Sequence, residues 1–221
     1  RMEMYRTNSI KTPSITGLIV PEAIFNREQY QNEVLDKMYS DISSYDPDKI
    51  LQDEWLNSRG LMPRWDRNSI EVRVMDVQEC PKMDLAILEW VVAVARLFIS
   101  EDFYSLELQK SWHENDLYPI LLSTIQDGEK AAITNKRYLE IFGLSSPSVT
   151  AGELCKHIFQ ELTPSNSHSA DTTEILNLIF EEGPLARRIL NSLPHSFRKQ
   201  DLVSTYHQLC DCLKYGKPFL P

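Results

Sequence analysis

Between residues 70 and 75 apolar and charged side chains alternate, Ile70-Glu71-Val72-Arg73-Val74-Met75. Most of these residues favour extended backbone, so the segment predicts a half-buried strand. Side chains two apart on a strand share a face. Ile70, Val72 and Val74 are therefore assigned to the covered face, and Glu71 and Arg73 project together from the other. The rise per residue puts the Cα atoms of Glu71 and Arg73 about 6.5 to 7 Å apart. Upstream, Tyr30, Val34, Leu35, Met38, Tyr39 and Ile42 recur with helical period, which predicts a helix over 25–42. Residues 15–21 read as a short strand or extended segment ended by Pro21. Asp46-Pro47-Asp48 breaks the chain, and Asn57-Ser58-Arg59-Gly60 predicts a turn leading towards the 70–75 strand.

After Cys80-Pro81 the texture changes. Proline at a first helical position predicts a helix over 82–99. Leu85, Ile87, Leu88, Trp90, Val91, Val92 and Val94 make that helix apolar nearly all round, the pattern of a buried helix. Further helices are predicted at about 105–127, 129–142, 150–161, 171–192 and 199–214. Asp171-Thr172-Thr173-Glu174 offers a capping box, and Gly183-Pro184 predicts a kink or split. Residues 145–148 and 163–170 read as polar loops. The fold class expected is α+β, with a partial antiparallel sheet region at 1–80 and a mainly helical C-terminal block at 81–221.

Composition narrows the field by exclusion. The 221 residues, 42% hydrophobic and 25% charged, suffice for a substantial core as one large domain or two small ones. The longest apolar run, Trp90 to Ala95, falls far short of the roughly 20 residues of a membrane span, so no membrane partner is expected. The net charge of −9 disfavours nonspecific nucleic-acid binding, which depends on neutralising phosphates. Cys80, Cys155, Cys210 and Cys212 form no C-x-x-C pair and read as free thiols of a cytoplasmic protein. With only seven glycines there is no Walker-type loop, no dinucleotide fingerprint and no nucleophile elbow. If ATP is handled, charged side chains and metal ions must hold its phosphates. The start Arg1-Met2-Glu3-Met4 lacks the apolar core of a signal peptide and suggests an excerpt of a longer protein.

The candidate chemistry sits around the alternating strand. Glu71 can hold a metal ion, and Arg73, Arg64 and Arg67 can hold phosphate or carboxylate. By itself the spacing favours the plainer reading, a surface ion pair on an ordinary sheet, since exposed charge pairs are common on antiparallel sheets. The five histidines show no paired spacing. Arg187-Arg188 and Arg198-Lys199 read as solvated faces or helix-end charges. The four tryptophans read as packing anchors. Cys80 lies near a helix N-terminus, where a thiolate is favoured, but its proline neighbour and apolar helix also fit simple packing.

The extended pattern Leu56-Asn57-Ser58-Arg59-Gly60, Arg64-Trp65-Asp66-Arg67, Ile70-Glu71-Val72-Arg73, Asp76, Gln78-Glu79-Cys80-Pro81 and Asp84-Leu85-Ala86 resembles the glutamate–cysteine ligase family 2. These carboxylate-amine ligases have a glutamine synthetase-like fold. Tyr5-Arg6, Pro13 to Gly17 and Val20-Pro21-Glu22 are similar to the segment preceding this motif. The resemblance is dense over residues 1 to 100 and loose beyond. It implies that Glu71 is a ligand of catalytic Mg²⁺ and that Arg73 contacts substrate or the transferring phosphoryl group. Arg64 and Arg67 are further catalytic candidates, and Arg59 and Arg6 weaker substrate-binding ones. It also implies ATP as co-substrate, glutamate and cysteine or another amino compound as substrates, and the γ-glutamyl amide chemistry of glutathione biosynthesis. The remaining metal ligands and the nucleotide pocket would lie in an absent N-terminal half, leaving this chain inactive by itself, with homo-oligomerisation open. The alternatives are a noncatalytic interaction module, or another enzyme of the fold, such as a guanidino kinase or a glutamine synthetase.

Overall fold

The structure, a computed structural model, describes residues 2–8, 11–101, 104–164 and 167–221. Along the chain run α1 (Met2–Thr7), α2 (Arg27–Tyr30), α3 (Asp36–Ile42), α4 (Pro81–Ser100), α5 (Leu106–Lys110) and α6 (Glu114–Asp127). They are followed by α7 (Lys136–Ile141), α8 (Ala151–His157), α9 (Ala170–Glu182), α10 (Leu185–Ser192) and α11 (Lys199–Tyr215). Two antiparallel two-stranded sheets complete the described elements: β1 (Leu61–Arg64) with β2 (Ser69–Val72), and β3 (Ala132–Ile133) with β4 (Val149–Thr150). The fold class is α+β and helix-rich. The described residues group into two compact units, one within 1–75 and 110–125, the other within 76–109 and 126–221.

In the first unit, Asn26 caps α2 by accepting the Gln29 N–H. A π turn, Gln31–Leu35, joins α2 to α3. Tyr30, Val34, Leu35, Met38 and Ile42 then meet Ile15 in one core, as their helical period predicted. Residues 15–21 do not form the expected strand. Pro13–Ile15 is a 3-10 turn, and a single bridge joins Leu18 to Val20 around Ile19 at positive φ.

The hairpin β1–β2 turns through Asn68 in the left-handed region, which asparagine tolerates. Its register sets Met62 opposite Glu71 and Arg64 opposite Ser69. Strand β2 begins at Ser69 and ends at Val72, shorter at its far end than the alternation suggested. The covered face is also the reverse of the expected one. Met62, on the same face as Glu71, is 0% exposed, whereas Ile70 is 66% exposed. Alternation separates the two faces of a strand but does not say which one meets the rest of the unit.

In the second unit, α4 starts at Pro81, with Cys80 extended before it, and ends at Glu101 in the left-handed region. It is not buried all round. Met83, Ala86, Ala93 and Leu97 face inward, with Cys80, Met83 and Ala86 packing on Ile175 of α9, while Leu85, Leu88, Val92 and Ile99 are exposed. The long helix expected at 171–192 is two helices. Gly183, at φ +88, and Pro184 part α9 from α10. Ser169, rather than Asp171, caps α9 by accepting the Thr172 N–H. The 129–142 segment holds strand β3 as well as α7, and α5 and α6 are separate pieces of the expected 105–127 helix. The polar loop at 163–170 falls partly outside the described residues.

Candidate functional site

Register and twist gather the charges of the first hairpin into one cluster. Arg64, from β1, donates from Nη1 to Glu71 Oε2 at 3.0 Å. Arg73, just past β2, donates from Nε to Glu71 Oε1 at 2.7 Å. One carboxylate is thus held between two guanidiniums. Arg64 also contacts Asp66 at 3.2 Å and Glu54 at 3.5 Å. Arg73 reaches back with Nη1 to the carbonyls of Asn57 and Trp55. The Arg73 bond, with Arg64 adding to it, holds the Glu71 carboxyl below its ordinary range. The Arg64 bond does the same to Asp66. Both arginine side chains are more covered than the Glu71 side chain, so the cluster presents carboxylate to solvent above a guanidinium floor.

The other sequence candidates lie in different settings. Arg67 sits in the hairpin turn, exposed, with Asp66 at 3.3 Å. Arg59 is buried. Its Nε and Nη2 bond the two oxygens of Glu22, and its Nη1 bonds Ser14 O and Asn57 Oδ1. Burial raises the Glu22 carboxyl, but the Arg59 bonds outweigh it and the net shift is downward. Gly17, at φ +55, passes so close that an added Cβ would lie 3.2 Å from Arg59 Nη2. Arg59 is therefore an internal staple of the first unit. Arg6 pairs with Glu3 of its own helix and donates to Tyr118 at 3.4 Å. The structure thus joins Arg64, Glu71 and Arg73, with Arg67 at the edge, and gives Arg59 and Arg6 partners of their own.

Glu54 was not visible as a member of this cluster. It lies in a 3-10 turn, Glu54–Leu56, and no periodic signal connects it to the strand. Among the described residues no group of three or more His, Cys, Asp and Glu is placed to hold a metal ion. Both Glu71 oxygens accept from arginines. The described residues alone do not fit Mg²⁺ at Glu71, and the arrangement is suited instead to anions that can exchange with Glu71 on the guanidiniums.

Arg187-Arg188 needs a correction. Arg187 pairs with Glu129 at 2.6 Å, but Arg188 is fully buried against Glu79, so neither is simply a solvated charge. Cys80 is buried and caps no helix through its side chain, and burial pushes the Cys155 thiol up to about 11. No described helix is long and apolar enough to cross a membrane.

The chain is 26% identical, over its whole length, to a protein of Archaeoglobus fulgidus described as uncharacterized, and spans about half (52%) of that relative. No family model matches. No solved structure matches either.

Proposed function

We propose that this chain supplies one wall of an ATP-dependent carboxylate-amine ligase of the glutamate–cysteine ligase type, on a glutamine synthetase-like fold. The observation that carries the reading is the Arg64–Glu71–Arg73 array, in which two preorganised guanidiniums share one carboxylate on one face of a hairpin. The rest of the residue pattern from Leu56 to Ala86, outside these three residues, adds support. In the proposed reaction the γ-carboxylate of glutamate attacks the γ-phosphorus of ATP and ADP departs. The amine of cysteine or a related compound then attacks the acyl phosphate, releasing phosphate and forming the amide. Arg73 and Arg64 hold the substrate carboxylate and then the acyl-phosphate oxygens, taking over the position that Glu71 fills in their absence. Glu71, whose two oxygens already accept from these arginines, acts by holding both guanidiniums in position rather than as the Mg²⁺ ligand that the resemblance implies. Metal ligands and the nucleotide pocket would come from the rest of a longer, cytoplasmic polypeptide. Reactions of this kind rely on positioning and charge neutralisation.

The bond from Arg73 to the Asn57 carbonyl favours a second reading, in which the cluster only ties the hairpin to the turn before it. Glu71→Gln and Arg73→Ala in the full-length protein separate the two. A fall of about 100-fold or more in glutamate- and amine-dependent ADP release, with an unchanged unfolding midpoint, supports the ligase. Near-normal turnover in both variants removes Glu71 and Arg73 from catalysis.

A further inference from the structure

Leu85, Leu88, Val92, Ala95 and Ile99 of α4 recur at alternating spacings of three and four residues, and all five are exposed. That is the a/d spacing of a coiled-coil seam. The opposite side of α4 is already used, since Met83, Ala86, Ala93 and Leu97 are buried. Beside the seam a groove of about 610 Å³ opens between α4 and α9, walled on the far side by Thr172 and Ile175. Along the groove edge of the seam runs a charged column at seven-residue intervals, Lys82, Glu89 and Arg96. Lys82 pairs with Asp171 at 3.3 Å. Glu89 accepts from the Ser169 hydroxyl at 3.2 Å and from Thr172, and these bonds, Thr172 first, hold its carboxyl ionised. Arg96 has no ion-pair partner among the described residues.

We infer that this seam is a homodimer interface, in which the α4 of a second copy lies antiparallel across it about a two-fold axis. A two-fold contact must be self-complementary, with residue i meeting j and j meeting i. Antiparallel heptads set a positions against d positions and bring like flanking positions together. Two such registers engage four of the five seam residues, and the others engage only two. One sets Leu88 against the partner's Val92 and forces Glu89 against the partner's Glu89. The other sets Val92 against the partner's Ala95 and Leu88 against the partner's Ile99, and it brings Glu89 to the partner's Arg96 twice. Opposite charges select the second register, as flanking charges do in coiled coils generally. The small Ala95 at the centre lets the helices approach closely, and the groove gives the second helix a wall to rest on.

The test is sedimentation equilibrium over a concentration series, with oxidative cross-linking. The wild-type chain is expected to dimerise reversibly. Val92→Asp, at an already exposed position, should leave circular dichroism unchanged and abolish the dimer. Arg96→Glu should weaken association by about tenfold or more, and Glu89→Lys combined with Arg96→Glu should restore most of it. Val92→Cys with Ala95→Cys should cross-link faster than the wild-type chain, whose four cysteines set the background. A monomer at every concentration, including one in which further polypeptide covers α4, overturns the inference. So does a dimer indifferent to Val92→Asp. A dimer strengthened by Arg96→Glu overturns the Glu89–Arg96 register and with it the inference in the form stated.

Discussion

Replacing Arg188 by methionine tests how the second unit holds its C-terminal segment. Arg188 of α10 and Glu79 are both 0% exposed at their side chains. Arg188 donates to Glu79, to the Phe219 carbonyl at 2.7 Å and to the Gly183 carbonyl at 3.1 Å. Glu79 accepts in turn from the Phe219 N–H at 3.0 Å. One ion pair therefore joins the segment before α4, the α9–α10 junction and the end of the chain. Methionine matches the aliphatic length but leaves Glu79 as a buried, uncompensated charge. Removing one partner of a buried pair costs about 3–5 kcal/mol. That is a large part of the roughly 5–15 kcal/mol typical of a domain, and it raises the unfolded fraction by about two to four orders of magnitude. Trp90 is the tryptophan of the second unit, the others being Trp55, Trp65 and Trp112. With those three changed to phenylalanine, urea unfolding read at Trp90 measures the loss. Hydrogen exchange at the Phe219 amide should accelerate in parallel. Adding Glu79→Met removes the stranded charge and should recover much of the stability, short of complete recovery because the Phe219 amide and carbonyl lose their partners. A single-variant loss below about 1 kcal/mol, or a double variant no better than the single, would refute the reasoning.

Two further predictions follow from buried or capping groups. His168 stacks on Phe159 with ring centroids 5.2 Å apart, and both its ring nitrogens are buried without a hydrogen-bond partner. Burial, against the pull of Glu89, lowers its pKa from 6.5, so its stabilising contribution is complete above that pH and is lost as pH falls through the folded value. His168→Phe should flatten the decline of the unfolding midpoint on acidification below 6.5, and an unchanged decline would exonerate His168. At α8, Thr150 and Glu153 form a reciprocal capping box, with Glu153 accepting the Thr150 N–H at 2.7 Å. Thr150→Ala should cost about 1 kcal/mol in urea unfolding, and no measurable loss would mean that the box contributes nothing.

What could be read in one dimension was local. The period through Tyr30, Val34, Leu35, Met38 and Ile42 located both a helix and its core face, since the pattern itself records which side is buried. Gly183-Pro184 marked a break that the structure realises as two helices, because proline removes a donor and glycine opens positive φ. Position 129–142 misled because two strand residues are too few to leave a period, and Thr150, which pairs with Ala132, lies far along the chain. At the candidate site, the pairing of Glu71 with Arg73 was legible from their two-residue spacing. Arg64 was a named neighbour without an assigned contact, and only the hairpin register brings it to the second Glu71 oxygen.

The amino-acid order thus determined a helix-rich α+β chain, most of its helix positions and the Glu71–Arg73 pair, all of which rest on spacings within a few residues. Tertiary structure decided which hairpin face is covered. It also made Arg59 an internal staple while Arg64 joined the cluster, buried Arg188 on Glu79, and left the α4 seam in solvent. Those outcomes depend on partners 7 to 140 residues away, such as Arg64–Glu71 and Phe219–Glu79, and no local pattern encodes which distant carboxylate an arginine will meet.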